Sequence, residues 1–119
     1  MVFDASEVAH QLVRALRPAL EQIATRDRDL AGQFRGALSS IPLNVDEGRG
    51  RLGRDRLYHW SIAIGSAREL RSVLRVAVSL GYVDEGLLRD GLPLLDRELA
   101  MLWKMTRGTG PTVASARGR

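Results

Sequence analysis

Residues 55–81, DRLYHWSIAIGSARELRSVLRVAVSLG, contain the longest helical pattern of the sequence. Apolar or small side chains return every three to four residues along this stretch, which is the spacing of one face of an α-helix. Asp55 is a suitable N-cap, and Gly81 is a suitable glycine just beyond the last turn. The pattern therefore predicts a helix over residues 55–80. Its predicted core face consists of Ile62, Ser66, Leu70, Val73, Ala77 and Leu80.

Three further stretches show the same periodicity, and none has the strict alternation of a strand. They predict helices over residues of about 5–25, 29–47 and 85–105. Pro18 and Pro42 lie inside the first two of these stretches. Because an interior proline removes a backbone hydrogen bond, each of them predicts a kink or a fresh helix start.

Four amphipathic helices joined by mostly short connections predict an all-α protein, an antiparallel up-and-down four-helix bundle. The bundle is expected to cover residues 1–106, and only the connection around residues 48–55 is long. Asp27 and Asp84 are suitable N-caps of the second and fourth helices. Residues 107–119, which contain glycine, proline and serine, predict a flexible basic tail.

The composition excludes several classes of protein. A chain of 119 residues, 45% hydrophobic and 27% charged, has the size and composition of one globular domain. It contains no cysteine, which excludes disulfides and thiolate chemistry. Its apolar runs are far shorter than the roughly 18 residues of a membrane span, and its first residues do not resemble a signal peptide. We therefore expect a cytoplasmic protein.

The sequence offers no plausible catalytic or metal site. His10 and His59 are the only histidines, they lie on different predicted helices, and neither has a second ligand at zinc-site spacing. The serines of the predicted helices, such as Ser40 and Ser61, do not lie in a nucleophile-elbow motif. We expect no catalytic residue, no metal and no cofactor.

The net charge of +4 is concentrated in two segments. Residues 49–75 have a net charge of +5 and residues 107–119 of +3, whereas residues 1–48 and 76–106 are each at −2. Arginine side chains match phosphate oxygens well, so the central segment is a candidate nucleic-acid-binding surface. The alternative is a solvated surface whose arginines reflect codon usage. The candidate residues are Arg49, Arg51, Arg54, Arg56, Arg68, Arg71 and Arg75.

The glycine-rich segment GRGRLG at residues 48–53 fits the pattern G-x-G-x-x-G of dinucleotide-binding proteins. That motif requires a preceding strand and an acidic residue about 20 positions later. A helical pattern precedes it here, and the acidic candidate Glu69 lies inside a predicted helix. The segment is therefore interpreted as a loop that ends a helix.

Polar side chains form a stripe beside the apolar face of the second helix, and Ser66 interrupts the apolar face of the third. An unpaired hydroxyl in such a position would cost about 1–3 kcal/mol. Bundles that hold two metal ions need Glu-x-x-His repeats, which this sequence lacks. We therefore predict a buried hydrogen-bond network that fixes the register of the second and third helices. Its predicted members are Gln33, Ser40, Asn44, Glu47, Ser66 and Glu69.

Three apolar side chains of the third helix, Leu57, Trp60 and Ile64, lie away from the centre of its core face. They predict an exposed apolar patch that a neighbouring subunit covers. The sequence thus suggests a homo-oligomer with these residues in its interface.

The polar stripe also carries a family resemblance. The run Gln33-x-Arg35-x-Ala37-x-x-Ser40-Ile41-Pro42-x-Asn44-Val45-x-Glu47-Gly48, followed by Ala63-x-Gly65-Ser66-x-x-Glu69 and Leu80-Gly81-Tyr82-Val83, resembles the signature of a bacterial four-helix-bundle family. Its founding members are encoded in intervening sequences of large-subunit (23S) ribosomal RNA genes. Asp46 departs from the pattern, because the family usually has alanine there.

The resemblance implies an up-and-down bundle that assembles into a homo-oligomer, typically a pentameric ring, without enzymatic activity. A more distantly related branch comprises accessory proteins of diversity-generating retroelements, which form a basic ring that binds reverse transcriptase and nucleic acid. Together with the charge pattern, this suggests a non-catalytic oligomeric protein that associates with RNA or another nucleic acid. The alternative is a protein–protein scaffold or accessory subunit that binds no nucleic acid.

Overall fold

The computed structural model describes residues 4–107 of the chain. This range forms four α-helices and one short 3₁₀ helix, and none of its residues lies in a strand. None of these helices is apolar over enough length to span a bilayer. The elements are α1 (Asp4–Ala24), α2 (Arg28–Arg49), α3 (Gly53–Ser79), the 3₁₀ helix Glu85–Leu88 and α4 (Gly91–Arg107).

The four α-helices share one core. Consecutive helices pack against each other, and α1 also packs against α4, so every helix has two neighbours. This arrangement lets each apolar face point inward. The protein is therefore the predicted all-α, antiparallel up-and-down four-helix bundle. Its largest fully buried apolar side chains are Leu12, Leu16, Ile23, Phe34, Ile41, Val45, Leu70, Leu74, Leu95 and Leu102.

Two of the predicted helix ends are confirmed by their backbone geometry. The Asp27 side chain accepts a hydrogen bond of 2.9 Å from the Leu30 N–H, as an N-cap of α2 should. At the end of α3, Gly81 has a φ of +75°. Hydrogen bonds then run from the Gly81 N–H to the Val78 carbonyl and from the Tyr82 N–H to the Ala77 carbonyl, which is a Schellman motif.

The predicted start of the third helix is wrong by two residues. Gly53, with a φ of +57°, begins α3, and Leu52 rather than Asp55 occupies the N-cap position. Asp55 instead lies in the first turn, where a carboxylate interacts favourably with the helix dipole. The left-handed backbone at Gly53 lets the chain turn sharply enough for α3 to begin earlier.

The predicted start of the fourth helix is wrong in the opposite direction, because α4 begins at Gly91 rather than at residue 85. Gly91 is buried, and a side chain there would overlap Leu16, so the first turn of α4 lies directly against α1. Pro93 falls in this first turn, where its missing N–H has no helical partner to lose. Arg107, predicted as the start of the tail, ends α4, and residues 108–119 lie outside the described part.

Helices α1 and α2 continue without a break through Pro18 and Pro42. The predicted fresh helix starts do not occur. Pro42 is buried against the neighbouring helices, so packing compensates for the lost hydrogen bond.

The core face of α3 is rotated from the predicted one. Leu80 lies beyond the helix with 55% of its surface exposed, and Ile62 is only half-buried. Alanines at positions 63 and 67 are fully buried instead, because small side chains allow α2 and α3 to pack closely.

A carboxyl group in the core escaped prediction from the sequence. Glu98 of α4 is 0% exposed, and neither of its carboxyl oxygens has a hydrogen-bond partner among the described residues. Burial raises the pKa of Glu98 to about 8, while Arg97 acts to lower it and Asp46 to raise it further. The side chain is therefore mostly protonated at neutral pH.

Candidate nucleic-acid interface on helix α3

The α2–α3 connection is built around Trp60. The indole Nε1 donates a hydrogen bond of 3.2 Å to the Val45 carbonyl. The ring covers Gly48, where an added Cβ would lie 2.5 Å from two indole atoms. Trp60 is thus buried within its own subunit, and the prediction that it belongs to an exposed patch with Leu57 and Ile64 is wrong. Both of those neighbours are half-buried, and Ile64 packs against the core.

Arg56 closes the C-terminal end of α2. Its Nε donates to the Gly48 carbonyl and its Nη2 to the Arg49 carbonyl, both at 3.0 Å. Carbonyls in the last turn of a helix have no partner within the helix, so the guanidinium satisfies them and interacts favourably with the dipole. The same guanidinium lies 5.3 Å from the centre of the Trp60 ring. Arg56 therefore holds the connection together.

Two more of the predicted nucleic-acid-binding arginines form ion pairs at the surface of the bundle. Arg51 contacts Glu47 at 2.8 Å and Asp55 at 3.6 Å, and so links the ends of α2 and α3. Arg71 of α3 forms an ion pair with Asp96 of α4. These pairs neutralise much of the charge that the sequence assigned to a free basic surface.

The remaining basic side chains of α3 lie on one outward ridge. Arg54, Arg68 and Arg75 are exposed and form no ion pair with a described residue. They are fourteen and seven residues apart, close to whole helical turns, and so span about 30 Å along one side of the helix. Tyr58, with 62% of its surface exposed, lies between the first two of them. Arg49 is also exposed, at the end of α2.

The polar network between α2 and α3 contains only three of its six predicted members, Ser40, Asn44 and Ser66. Ser66 donates a hydrogen bond of 2.7 Å to the Ser40 hydroxyl, and the Asn44 amide donates to the Ser40 hydroxyl and carbonyl at 3.0 Å. The Asn44 Oδ1 is 3.0 Å from Nδ1 of His59. Because the Asn44 amide nitrogen already donates to Ser40, His59 Nδ1 must be the donor in this last bond.

The other three predicted members of the network lie outside it. Gln33, Glu47 and Glu69 are exposed, and Glu47 pairs with Arg51 instead. The prediction of a buried Glu69 is wrong, because rotation of the α3 core face leaves this residue on the solvent side. His59, which the sequence did not assign to the network, lies fifteen residues from Asn44 and was not identifiable by helical spacing.

Asp46, the position at which the sequence departs from the family pattern, joins α2 to α1. Its carboxylate accepts a hydrogen bond of 2.6 Å from Ser6 and lies 3.1 Å from Nε2 of His10. Burial opposes ionisation of Asp46, but the bonds with Ser6 and His10 and the charges of His10 and Arg49 outweigh it. The pKa of Asp46 is therefore lowered.

Other chemistry suggested by the sequence finds no support in the described residues. Between residues 4 and 107, no three His, Asp or Glu side chains converge as a metal site. The G-x-G-x-x-G segment connects two helices, with Gly50 as the C-cap of α2 and Gly53 as the first residue of α3. It therefore lacks the strand on which a dinucleotide site depends.

A second exposed surface lies at the far end of α3. Val76, Leu80 and Leu92 are exposed there. A groove of about 220 Å³ between α3 and α4 adjoins them. The groove is lined by Arg71, Leu74, Arg75, Val78, Ser79, Leu88 and Leu92.

The comparison with known proteins agrees with the family resemblance of the sequence. The sequence profile of the family described as 23S rRNA-intervening sequence protein matches residues 3–104. No curated protein and no solved structure matches the chain. The profile covers all four helices and almost the whole described range. The chain belongs to the 23S rRNA-intervening sequence protein family.

Proposed function

We propose that the protein is a non-catalytic binding protein that associates with RNA through the outward ridge of α3. The observation that carries this proposal is the alignment of Arg54, Arg68 and Arg75 along one side of α3, none of them ion-paired with a described residue, with the exposed ring of Tyr58 one turn after Arg54. Arginines supply the contacts to phosphate, and an exposed aromatic ring offers a surface for base stacking. The family's description, which refers to 23S rRNA, is compatible with this function. The function implies a cytoplasmic location.

The structure changes which arginines the proposal uses. Arg56 caps α2, and Arg51 and Arg71 are ion-paired within the chain, so replacing them would change intramolecular contacts as well as any binding. The ridge residues have no such internal role. A test restricted to the ridge therefore separates binding from folding.

The test is fluorescence anisotropy of a labelled single-stranded RNA between about 50 and 300 mM salt. Replacing Arg54, Arg68 and Arg75 together with glutamine should weaken binding. It should also reduce the slope of log affinity against log salt by about 2, because each lost phosphate contact contributes roughly 0.7. Tyr58→Ala should weaken binding without changing the slope, since stacking releases no counterions.

The matched control replaces Arg28, Arg35 and Arg89, which are exposed on other parts of the bundle, with glutamine. It changes the net charge by the same amount and should leave the slope nearly unchanged. Equal losses in the two triple variants would show that only net charge matters.

Truncation after Arg107 tests the tail, and loss of binding in this variant alone would assign RNA binding to residues 108–119. Wild-type protein that fails to bind RNA at about 50 mM salt would refute the function.

A second candidate function is assembly with protein partners, including copies of the same chain. The exposed Val76, Leu80 and Leu92 favour it, because several large apolar side chains exposed at one end of a bundle are typical of an interface. We infer a homo-oligomer, with a pentamer favoured by the family resemblance. Light scattering should give the mass of the assembly, and Leu80→Asp should reduce it while Leu43→Asp on α2 should not. A monodisperse wild-type monomer at micromolar concentration would exclude self-assembly.

A further inference from the structure

Leu52 is an unusually exposed apolar residue. In the part of the chain that the structure describes, 82% of its surface is exposed, more than for any other large hydrophobic side chain there. It lies at the N-cap of α3, with an extended backbone (φ −126°, ψ 155°), and its side chain makes no capping hydrogen bond. Serine, threonine, aspartate or asparagine at this position would satisfy a free N–H of the first turn.

The segment that presents Leu52 is held on both sides. On one side, Arg56 donates hydrogen bonds to the carbonyls of Gly48 and Arg49. On the other, Arg51 bridges Glu47 at the end of α2 and Asp55 in the first turn of α3. These contacts tie the residues before and after Leu52 to the ends of α2 and α3, and the leucine projects from the tip between them.

Leu52 thus departs from two local preferences at once, because it neither caps the helix nor buries its side chain. Such departures concentrate at functional sites, where a residue is retained for an interaction outside the subunit. The exposed arginines Arg49 and Arg54 lie within three residues of it in the sequence. The tip therefore combines one apolar side chain with a surrounding positive charge.

We propose that Leu52 is an apolar wedge that inserts between neighbouring bases of RNA bound along the α3 ridge. This inference rests on the proposed function. Leucine is among the apolar side chains that DNA-bending proteins insert between base steps, and the same chemistry is available to a protein that binds stacked bases of RNA. Arg54 and Tyr58 follow Leu52 in the first two turns of α3 and are exposed, so the wedge would lie at one end of the proposed RNA path.

RNA is a better partner for this tip than a membrane. A single leucine buries too little apolar surface for a stable membrane anchor, given that even one myristoyl chain binds a bilayer only marginally. The apolar surface at Val76, Leu80 and Leu92 lies near the opposite end of α3, more than twenty residues away along the chain. Leu52 is therefore separate from the surface inferred for assembly.

The experiment uses single-stranded RNA carrying 2-aminopurine, whose fluorescence increases when the base loses its stacking neighbours. Wild-type protein should increase this fluorescence on binding. Leu52→Ser should weaken binding about tenfold, the order expected for losing the burial of one leucine side chain. It should also abolish the fluorescence change, whereas Leu52→Met, which keeps an apolar side chain, should retain both.

The control variant is Leu43→Ser, which removes a leucine that is 67% exposed on α2, away from the ridge. It should bind RNA like the wild type. Thermal unfolding distinguishes a wedge from a structural role, because serine at position 52 supplies the missing N-cap and should leave the melting temperature unchanged or higher.

Two results would overturn the wedge while leaving RNA binding in place. One is unchanged RNA affinity in Leu52→Ser, and the other is wild-type binding without any change in 2-aminopurine fluorescence. Wild-type protein that does not bind RNA would remove the proposed function and the wedge together. Vesicles of phosphatidylcholine and phosphatidylserine serve as a further probe. Leu52-dependent binding to them, without RNA binding, would assign the tip to membranes and overturn the proposal.

Discussion

Replacing the buried carboxyl group of Glu98 with an apolar side chain should stabilise the protein, and more so at higher pH. In the folded protein the pKa of Glu98 is raised to about 8 from a usual value of 4.5. The folded state therefore binds the proton more tightly than the unfolded state. The stability contributed by the protonated form is complete below pH 4.5, is lost as the pH rises towards 8, and changes little above that.

The size of the effect follows from this difference in pKa. Each pH unit between the two values costs about 1.4 kcal/mol, because the folded state is protonated there and the unfolded state is not, so folding must take up a proton from solution. From pH 5 to pH 9 the wild-type protein should thus lose about 4 kcal/mol through Glu98 alone. Glu98→Met removes the titrating group and nearly preserves the side-chain volume. Its advantage in the free energy of unfolding should grow by this amount over the same range.

The assay is urea denaturation of both proteins at pH 5, 6, 7, 8 and 9, from which the difference in free energy of unfolding is calculated at each pH. Taking the difference removes most of the contribution of titrating groups that do not interact with Glu98. Glu69→Met is the matched control, because Glu69 is an exposed glutamate of α3 and should give a difference within about 0.5 kcal/mol at every pH. A Glu98→Met advantage that stays constant from pH 5 to pH 9 would refute the reasoning.

Two further predictions concern the contacts between α2 and α3. Gly48→Ala places a Cβ 2.5 Å from the Trp60 ring, so it should lower the free energy of unfolding by about 1–3 kcal/mol, and an unchanged denaturation midpoint would show that the ring can move aside. Asn44→Ala removes the partner of His59 Nδ1 and one of the two donors to the Ser40 hydroxyl, and should cost about 1–3 kcal/mol. Helical spacing alone assigned Glu69 to the same network, but its side chain is exposed. Glu69→Leu should therefore change the free energy of unfolding by no more than about 0.5 kcal/mol, and a larger loss would restore Glu69 to the network.

The α2–α3 connection shows how tertiary contacts change the meaning of a charge pattern. The sequence places seven arginines between residues 49 and 75, and their spacing does not show which of them have partners within the chain. In the folded chain, Arg56 caps α2, and Arg51 and Arg71 form ion pairs. A basic segment is therefore a weaker indication of nucleic-acid binding than a set of basic side chains without internal partners.

The fold itself was largely determined by local features of the sequence. Helical spacing of apolar residues gave four helices, Asp27 marked the start of α2, and Gly81 marked the end of α3. Each of these features depends on residues within one or two helical turns of one another. A short segment of sequence is therefore enough to predict it. Glu98 could have been found in the same way, because it lies three residues after Leu95 and four before Leu102, on the buried stripe of α4.

Only the tertiary structure decided which side chains meet across helices. Trp60 lies off the centre of its helical stripe, yet it is buried because Gly48 on α2 leaves room for its ring. His59 joins the polar network because Asn44 faces it, and Glu69 does not because the small residues Ala63 and Ala67 turn α3 towards α2. Helical periodicity gives the direction of each side chain from its own axis. The rotation and separation of neighbouring helices depend on how all four faces pack at once, and these decide which side chains are buried, paired or left to bind a partner.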